Sequence, residues 1–145
     1  MTARARFRSA VAAVSPPRTD ATRSRSETLD ASASTGDVTL QGGSGTDSLR
    51  AGSGTGILVA GTGDATLAAG NGSDHFVFEQ GDAARNDTIA GFDPLRDLVL
   101  LFGYAADEAQ NALAHASVQG GSLVLSLTDG TSITFWATLR YPLRR

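Results

Sequence analysis

The sequence predicts an all-β protein built around a short parallel β-roll, and two observations predict this fold. From residue 33 to residue 77 the chain divides into five consecutive blocks of nine residues: ASTGDVTLQ, GGSGTDSLR, AGSGTGILV, AGTGDATLA and AGNGSDHFV. The fourth residue of every block is glycine, and the eighth is a large apolar residue. A fixed period with fixed glycine and apolar positions is typical of a solenoid, in which each repeat buries its apolar side chain against its neighbours.

Each block divides into a turn and a strand. The first six residues are small and rich in glycine, and we expect the chain to turn there through backbone angles that other residues avoid. The last three residues form a very short strand in which one side chain faces inward. If two blocks make one coil, the inward side chains stack in two facing ladders, Leu40–Leu58–Phe76 and Leu49–Leu67. Five blocks then give about two and a half coils and a stack about 12 Å high.

The blocks resemble a known family. GGSGTDSLR carries every fixed residue of the hemolysin-type calcium-binding nonapeptide, G-G-x-G-x-D-x-U-x, and AGNGSDHFV departs from it only at its first residue. The resemblance to this family, called RTX, implies a parallel β-roll with Ca²⁺ held between neighbouring turns by turn carbonyls and the sixth-position aspartate. This chemistry is reasonable, because Ca²⁺ takes about six to eight hard oxygen ligands and a tight glycine turn exposes its carbonyls.

The sixth position limits the calcium sites that the resemblance implies. It reads Val38, Asp47, Gly56, Ala65 and Asp74. Turns on one edge are two blocks apart, so we expect Asp47 to face the turn of Ala65, and Asp74 that of Gly56. Each site then keeps one carboxylate where the family pattern has two, which predicts weak binding. The implied ligands are Gly43, Gly45, Asp47, Gly61 and Gly63 on one edge, and Gly52, Gly54, Gly70, Gly72 and Asp74 on the other. Asp37 and Asp64 lie one position early, and alternation should aim them away from their neighbours.

Residues 78–139 are predicted to close the roll within the same domain. HFVF prolongs the last block, and the segments NDTI, FDP and DLVL resemble the closing part of RTX rolls, with Ile89 and Phe92 covering the end of the leucine ladder. Asp87, Asp93 and Asp97 are further candidate ligands for a cation. Turn and strand-end roles are the favoured explanation of these three aspartates.

A helix and a hairpin are expected in the same segment. Residues 104–117 have helical spacing, with Asp107 at the start and Ala109, Ala112, Leu113 and Ala116 on one face. Residues 120–137 alternate as a β-hairpin that turns at Asp129 and Gly130. Trp136 is assigned a structural role in this hairpin, with sugar binding as the alternative.

The two ends differ from the body in charge. Residues 1–32 are predicted to be a disordered tail rich in Arg and Ser, and residues 140–145 form a basic tail. The apolar stretch from Ala10 to Val14 is shorter than the core of a secretory signal. Net charge is +5 over residues 1–26, −11 over residues 27–139 and +3 over the last six. The acidic body suits a cation-binding protein and argues against nucleic acid as a partner. No segment is apolar and long enough to predict a membrane span.

These observations favour a non-enzymatic, calcium-responsive module. The sequence contains no HExxH, no G-x-S-x-G and no cysteine, and its two histidines are His75 and His115. The RTX resemblance implies a protein secreted from a Gram-negative bacterium, with type I secretion machinery as a partner and Ca²⁺ as the ligand that folds it outside the cell. Two alternatives remain. One is a polysaccharide-binding or accessory module, as found beside alginate-type epimerases, and the other is a structural or adhesive solenoid that needs no calcium.

Overall fold

The computed structural model describes residues 26–81 and 84–136, and these residues form the predicted all-β roll with one short helix. The predictions for residues 1–25 and 137–145 lie outside the described residues. The elements are β1 (Thr28–Asp30), β2 (Val38–Gln41), β3 (Asp47–Arg50), β4 (Gly56–Val59), β5 (Ala65–Ala68), β6 (Asp74–Glu79), β7 (Asn86–Ala90), β8 (Leu98–Phe102), α1 (Glu108–Ala114), β9 (Ser117–Gln119), β10 (Ser122–Ser126) and β11 (Ser132–Trp136).

Successive strands of the roll alternate between two parallel sheets. Sheet A contains β1, β3, β5 and β7 in that order, and sheet B contains β2, β4, β6 and β8. Within the repeats, neighbouring strands pair residues 18 positions apart, such as Leu40 with Leu58 and Leu49 with Leu67. Eighteen residues are two blocks, so the prediction that two blocks make one coil is confirmed.

The core consists of the two predicted ladders. Leu40, Leu58 and Phe76 stand in register in sheet B, and Leu49 and Leu67 stand in register in sheet A. All five side chains are at most 2% exposed. Stacking of this kind is what stabilises a block that has too little apolar surface to fold alone.

The sixth residue of each block also faces the core. In β3, Asp47 and Leu49 are buried while Ser48 and Arg50 are exposed, and β2, β4 and β5 alternate in the same way. β6 begins with the same alternation, but Val77 is buried as well. The expectation of one inward side chain per block is therefore wrong. The strand is longer than expected because it begins at the sixth residue, whose N–H already bonds to the next coil. This alternation places Asp47 and Asp74 inside the roll.

The roll has about four coils instead of two and a half. β1 lies within the stretch that the sequence assigned to the tail, and its Leu29 pairs with Leu49, so the predicted tail boundary at residue 32 is too late. β7 and β8 add a further coil after the repeats, in which Ile89 pairs with Leu67 and Val99 pairs with Phe76. This last coil is several residues longer than a two-block coil, which hides it from a search for period nine.

The C-terminal segment closes the roll as predicted. β10 and β11 form the hairpin, with Gly130 at φ +91° in its turn, and β11 runs parallel to β7, while β9 pairs with β10 at the sheet edge. The ring of Phe92 lies 5.1 Å from that of Phe135 and 6.0 Å from that of Phe76, measured between centroids. Phe92 therefore covers the end of the ladder, as the sequence predicted.

One side-chain prediction in this segment is wrong. α1 buries Glu108 and Ala112, whereas Leu113 is 60% exposed, because the Glu108 carboxylate accepts hydrogen bonds from the backbone N–H and the hydroxyl of Thr128. Trp136 is 61% exposed, since Phe135 points inward and strand alternation turns Trp136 outward, and its structural role stays a prediction.

Candidate metal centre at the coil junctions

Four aspartates lie inside the roll at or beside the starts of strands. Asp47, Asp74, Asp87 and Asp97 are each at most 8% exposed. A buried carboxylate is costly unless it is hydrogen-bonded or paired with a cation. The partners of these four groups therefore decide what the coil junctions, where one coil stacks on the next, can bind.

Asp74 shows how a carboxylate joins two coils. Its Oδ1 accepts a hydrogen bond from the backbone N–H of Gly56 in the preceding coil at 2.8 Å. Its Oδ2 accepts one from the N–H of Gly70, in the turn that leads into Asp74 itself, at 2.7 Å. We call this arrangement, one oxygen on the preceding coil and one on the residue's own turn, a carboxylate clasp.

Two further aspartates form the same clasp. Asp47 accepts hydrogen bonds from the N–H groups of Glu27 at 3.0 Å and Gly43 at 2.6 Å. Asp97 accepts them from the N–H groups of Asp74 at 2.9 Å and Asp93 at 2.8 Å. In each case the second donor precedes the aspartate by four residues, so the nonapeptide spacing from its second to its sixth position builds the clasp.

Where the next coil lacks an aspartate at the sixth position, the N–H of the sixth residue donates its hydrogen bond to a backbone carbonyl oxygen instead. The N–H of Val38 donates to the carbonyl oxygen of Thr55 at 3.0 Å, because the next coil carries Gly56 at the sixth position. The N–H of Asp47 donates to the carbonyl oxygen of Asp64 at 2.9 Å, because the next coil carries Ala65 there. The sixth residue thus decides which oxygen joins neighbouring coils.

The glycine turns stack on one another directly. The N–H of Thr62 donates to the carbonyl oxygen of Gly43 at 2.9 Å, and the N–H of Asn71 donates to that of Gly52 at 3.1 Å. A Cβ at Gly72 would collide with the carbonyl oxygen of Gly54. Close approach of backbone to backbone therefore explains these glycines.

Special backbone angles explain few of the repeat glycines. Within residues 33–77 positive φ is found at Gly61, at +88°. The expectation that the turns depend on unusual φ values is wrong for the other repeat glycines. At several of them, such as Gly54, Gly63 and Gly72, a side chain would occupy the space of the neighbouring turn.

The structure brings together the predicted ligands of the second edge. Gly70 stacks against the carbonyl oxygen of Gly52, Gly72 stacks against that of Gly54, and Asp74 reaches both coils through its clasp. Burial raises the pKa of the Asp74 carboxyl, and the nearby Asp97 carboxylate raises it further, whereas the N–H of Gly70 and that of Gly56 act to lower it. Asp74 is fully buried, and the ion pairs recorded among the described residues involve other aspartates.

The ligands predicted for the first edge are divided between two junctions. Asp47 pairs in register with Ala65 as expected, and the turns of Gly43 and Gly63 stack closely. The Asp47 carboxylate, however, bonds to Glu27 on the opposite side, in the preceding coil. The junction between β3 and β5 therefore has stacked carbonyls but no buried sixth-position carboxylate directed into it.

Asp87 forms an ion pair with an arginine at the junction of β5 with β7, which is the last junction of the roll in sheet A. Its Oδ1 accepts a hydrogen bond from the N–H of Ala65 at 2.8 Å, while Nε of Arg85 donates to its Oδ2 at 3.2 Å. The side chains of this ion pair are 2% and 0% exposed. Burial raises the pKa of Asp87 to about 6, although the N–H of Ala65 and the charge of Arg85 act in the opposite direction.

Asp93 also pairs with an arginine. Nε of Arg96 donates to Oδ2 of Asp93 at 3.0 Å, and Nη1 of Arg96 donates to the carbonyl oxygen of Asn71 in the neighbouring turn at 2.7 Å. The other carboxylate oxygen of Asp93 accepts a hydrogen bond from the N–H of Leu95 at 2.9 Å. Asp93 therefore acts in a turn, while Asp97 acts in a clasp.

Asp37 and Asp64 are exposed, but they still contact the neighbouring coil. Asp37 accepts a hydrogen bond from the N–H of Thr55 at 3.0 Å, and Asp64 accepts one from the N–H of Asn86 at 2.8 Å. The prediction that these side chains point away from their neighbours is wrong, because a fifth-position carboxylate on the outer face can bend forward to the next strand.

Sequence reasoning missed three polar residues of the closing segment. Arg85 and Arg96 lie within three residues of candidate aspartates, and this proximity was the available signal. Asp129 was read only as a turn residue, whereas it accepts hydrogen bonds from the Tyr104 hydroxyl at 2.7 Å and from the N–H of Gly81 at 3.1 Å. No local sequence pattern predicts the contacts of Asp129, because its partners are far apart from it along the chain.

Side chains alone do not make a metal centre in residues 26–81 and 84–136. Within that part of the chain, no group of three or more His, Cys, Asp or Glu side chains could hold a metal ion, so a site there must draw on backbone carbonyls. The same residues contain no helix long and apolar enough to cross a membrane. Comparisons with protein-family models and with curated proteins give no match for the chain.

Proposed function

We propose that the chain is a calcium-responsive β-roll module and that it binds Ca²⁺ at the junction between the turns of residues 51–55 and 69–73. The observation that carries the proposal is the carboxylate of Asp74, which is fully buried where these two glycine turns stack. The resemblance of the repeats to the RTX nonapeptide supports the same ion.

The residues at this junction fit a hard cation. The donors are a buried carboxylate and the turn carbonyls of glycines such as Gly52 and Gly54, all of them oxygen, which is the ligand type that Ca²⁺ prefers. A cation would also compensate the buried charge of Asp74, for which the described residues record no ion pair. Asp74 and the turn carbonyls would hold the ion, and its charge would strengthen the stacking of the two turns.

One carboxylate predicts weak binding. Calcium affinity falls as fewer charged ligands take part, and extracellular calcium modules bind in the range of about 10⁻⁴–10⁻³ M. Because the ion would bind the stacked turns and not the unfolded chain, its binding free energy adds to the free energy of folding. We propose on this basis that the module acts outside the cell, where calcium reaches such concentrations, after export by type I secretion machinery.

The test compares Asp74→Asn with Asp64→Asn. Both aspartates accept a hydrogen bond from the backbone of a neighbouring coil, but Asp64 is exposed and lies outside the proposed site. Calcium should raise the melting temperature of the wild type and of Asp64→Asn, and Asp74→Asn should lose most of that rise. Equal calcium-induced shifts in all three proteins would show that Asp74 does not hold the ion.

A second candidate function, binding of a neutral polysaccharide, is favoured by the outer face of sheet A. Five outward residues stand in register across this sheet, and all carry hydroxyl groups: Thr28, Ser48, Thr66, Thr88 and Thr134. Trp136 lies two residues beyond Thr134 on the same face and is 61% exposed. An exposed aromatic ring beside a row of hydroxyl groups suits the alternating apolar and polar surfaces of a sugar.

Binding to immobilised neutral and acidic polysaccharides tests this second function. Trp136→Ala should lower retention on the neutral polysaccharides at least several-fold. Leu95→Ala should not, because this side chain, although 90% exposed, lies in the turn between β7 and β8. Failure of the wild type to bind any of them would remove this candidate.

A further inference from the structure

We infer that the guanidinium groups of Arg85 and Arg96 are built-in cations of the last coil, each lying beside an aspartate where the repeats would use a metal ion. The inference rests on the proposed calcium function of the repeat turns. Calcium would then bind only at junctions within the repeats. The junction of β5 with β7 and the junction of β6 with β8 would each carry an arginine instead.

Arg96 joins the last repeat turn to the turn that follows it. Its Nη1 donates to the carbonyl oxygen of Asn71, a turn residue of the fifth block, and its Nε donates to the carboxylate of Asp93 in the next turn. A turn carbonyl on one coil and an aspartate on the other are the two kinds of ligand that the nonapeptide pattern offers to Ca²⁺. The guanidinium group thus contacts the same two kinds of ligand, here the carbonyl oxygen of a third-position residue and the carboxylate of a turn aspartate.

Arg85 lies at the opposite edge, where it joins the end of β6 to the start of β7. Its Nη2 donates to the carbonyl oxygen of Glu79 at 2.9 Å, at the end of β6, and its Nε donates to the carboxylate of Asp87. The residue is only 4% exposed. An arginine buried this deeply needs its charge compensated, and Asp87 supplies the compensation.

The distribution of carboxylates explains why arginines stand at these two places. Asp64 and Asp87 meet at the last junction of sheet A, where the charge of Asp64 helps to raise the pKa of Asp87. At the last junction of sheet B, the N–H of Asp93 donates to the carboxylate of Asp97, and the carboxylate of Asp93 pairs with Arg96. Two neighbouring carboxylates repel each other unless a cation lies between or beside them. Asp74 also lies near the carboxylate of Asp97, and no arginine is recorded in contact with Asp74, so the proposed Ca²⁺ is the cation that would lie beside it.

An ordinary ion pair would show the same contacts, so the test must separate the two roles. If an arginine only stabilises its aspartate, its removal lowers stability, and calcium raises the melting temperature of the variant by no more than it raises that of the wild type. If the arginine stands in for a cation, its removal exposes an oxygen-rich site that Ca²⁺ can fill. Gain of calcium binding on loss of an arginine is therefore the distinguishing readout.

The experiment uses Arg96→Gln and Arg85→Gln in the full chain, with Arg50→Gln as the matched control on the exposed face of β3. Bound Ca²⁺ per chain is measured by titration calorimetry, and melting temperature is measured in chelator and in saturating calcium. Each of the first two variants should melt lower than the wild type in chelator, bind one more Ca²⁺ and show a larger rise on adding calcium. Arg50→Gln should match the wild type in all three measurements.

The possible results separate this inference from the proposed function. A wild type that binds no calcium, together with an Arg96→Gln variant that does, would uphold the built-in cations and contradict the repeat site. A wild type that binds calcium, together with variants that gain none, would overturn the inference and leave the repeat site intact. If the buried Arg85→Gln variant fails to fold, the exposed Arg96→Gln variant decides the question alone.

Discussion

The backbone N–H of Asp74 donates a hydrogen bond to the carboxylate of Asp97, 2.9 Å away, while the carboxylate of Asp74 accepts one from Gly56 in the preceding coil. Asp74 is therefore hydrogen-bonded to the next coil through its N–H and to the preceding coil through its carboxylate. The clasps form a continuous chain along this edge of the roll, so the coils on either side of β6 are coupled in stability.

Loss of a clasp should destabilise the whole roll. Asp97→Ala removes the acceptor for the N–H groups of Asp74 and Asp93, and each buried donor left unpaired costs about 1–3 kcal/mol. Urea unfolding measures the loss. Asp107→Ala is the control, because Asp107 is exposed and makes no side-chain cap to α1. A midpoint unchanged from the wild type in Asp97→Ala would show that the clasp contributes nothing.

The leucine ladders should carry most of the apolar stabilisation. Leu49 and Leu58 are fully buried, and truncating either to alanine should cost about 2–5 kcal/mol of unfolding free energy. The control is Leu113→Ala, at a side chain that is 60% exposed. If Leu49→Ala and Leu113→Ala shifted the urea midpoint by similar amounts, the ladder would not be the core.

Two glycines at the same position of their blocks should respond differently to alanine. A Cβ at Gly72 would collide with the carbonyl oxygen of Gly54, whereas a Cβ at Gly36 meets no atom within 4 Å. Gly72→Ala should therefore lower the melting temperature strongly, and Gly36→Ala should leave it nearly unchanged. Equal shifts would indicate that the turns do not stack as closely as described.

Stability should fall as pH drops from about 4 towards 2. Burial alone would raise the pKa of Asp129, but hydrogen bonds from the Tyr104 hydroxyl and from the backbone lower it to about 2. A pKa lower in the folded state than in the unfolded state, where it is about 3.9, means that ionised Asp129 favours folding above that pH. Protonation removes this contribution as pH falls through the folded-state pKa.

Asp129→Asn tests the acid dependence. The variant should be less stable than the wild type at pH 6, and the difference should shrink between about pH 4 and pH 2 as the wild type is protonated. Melting curves across this range measure it. A constant difference from pH 6 to pH 2 would assign the acid loss to other groups.

The repeat period predicted the architecture, because glycine and leucine at fixed positions determine how coils stack. Register, both ladders, the hairpin and the closing role of Phe92 all followed from that pattern and from alternation. The coil formed by β7 and β8 was read as a cap, since longer turns break the nine-residue period. β1 was missed because its three residues carry no glycine turn.

The site was predicted less completely than the fold. The four-residue spacing from Gly70 to Asp74 is visible in the sequence, but the direction of the Asp47 carboxylate depends on which neighbouring N–H lacks a carbonyl partner. The pairing of Arg85 with Asp87 depends on a rotamer and on burial. Long-range contacts of this kind arise from packing, which no single stretch of sequence encodes.

Calcium should stabilise this roll, and a calcium titration of the wild-type chain is the direct test. Circular dichroism and melting temperature are followed from chelator to about tenfold above the 10⁻⁴–10⁻³ M range of extracellular calcium modules. We expect a saturable rise in melting temperature with a midpoint in that range, and magnesium should produce a smaller rise. No change in spectrum or melting temperature across the whole titration would contradict calcium binding and leave a roll held together by its aspartates, arginines and leucines alone.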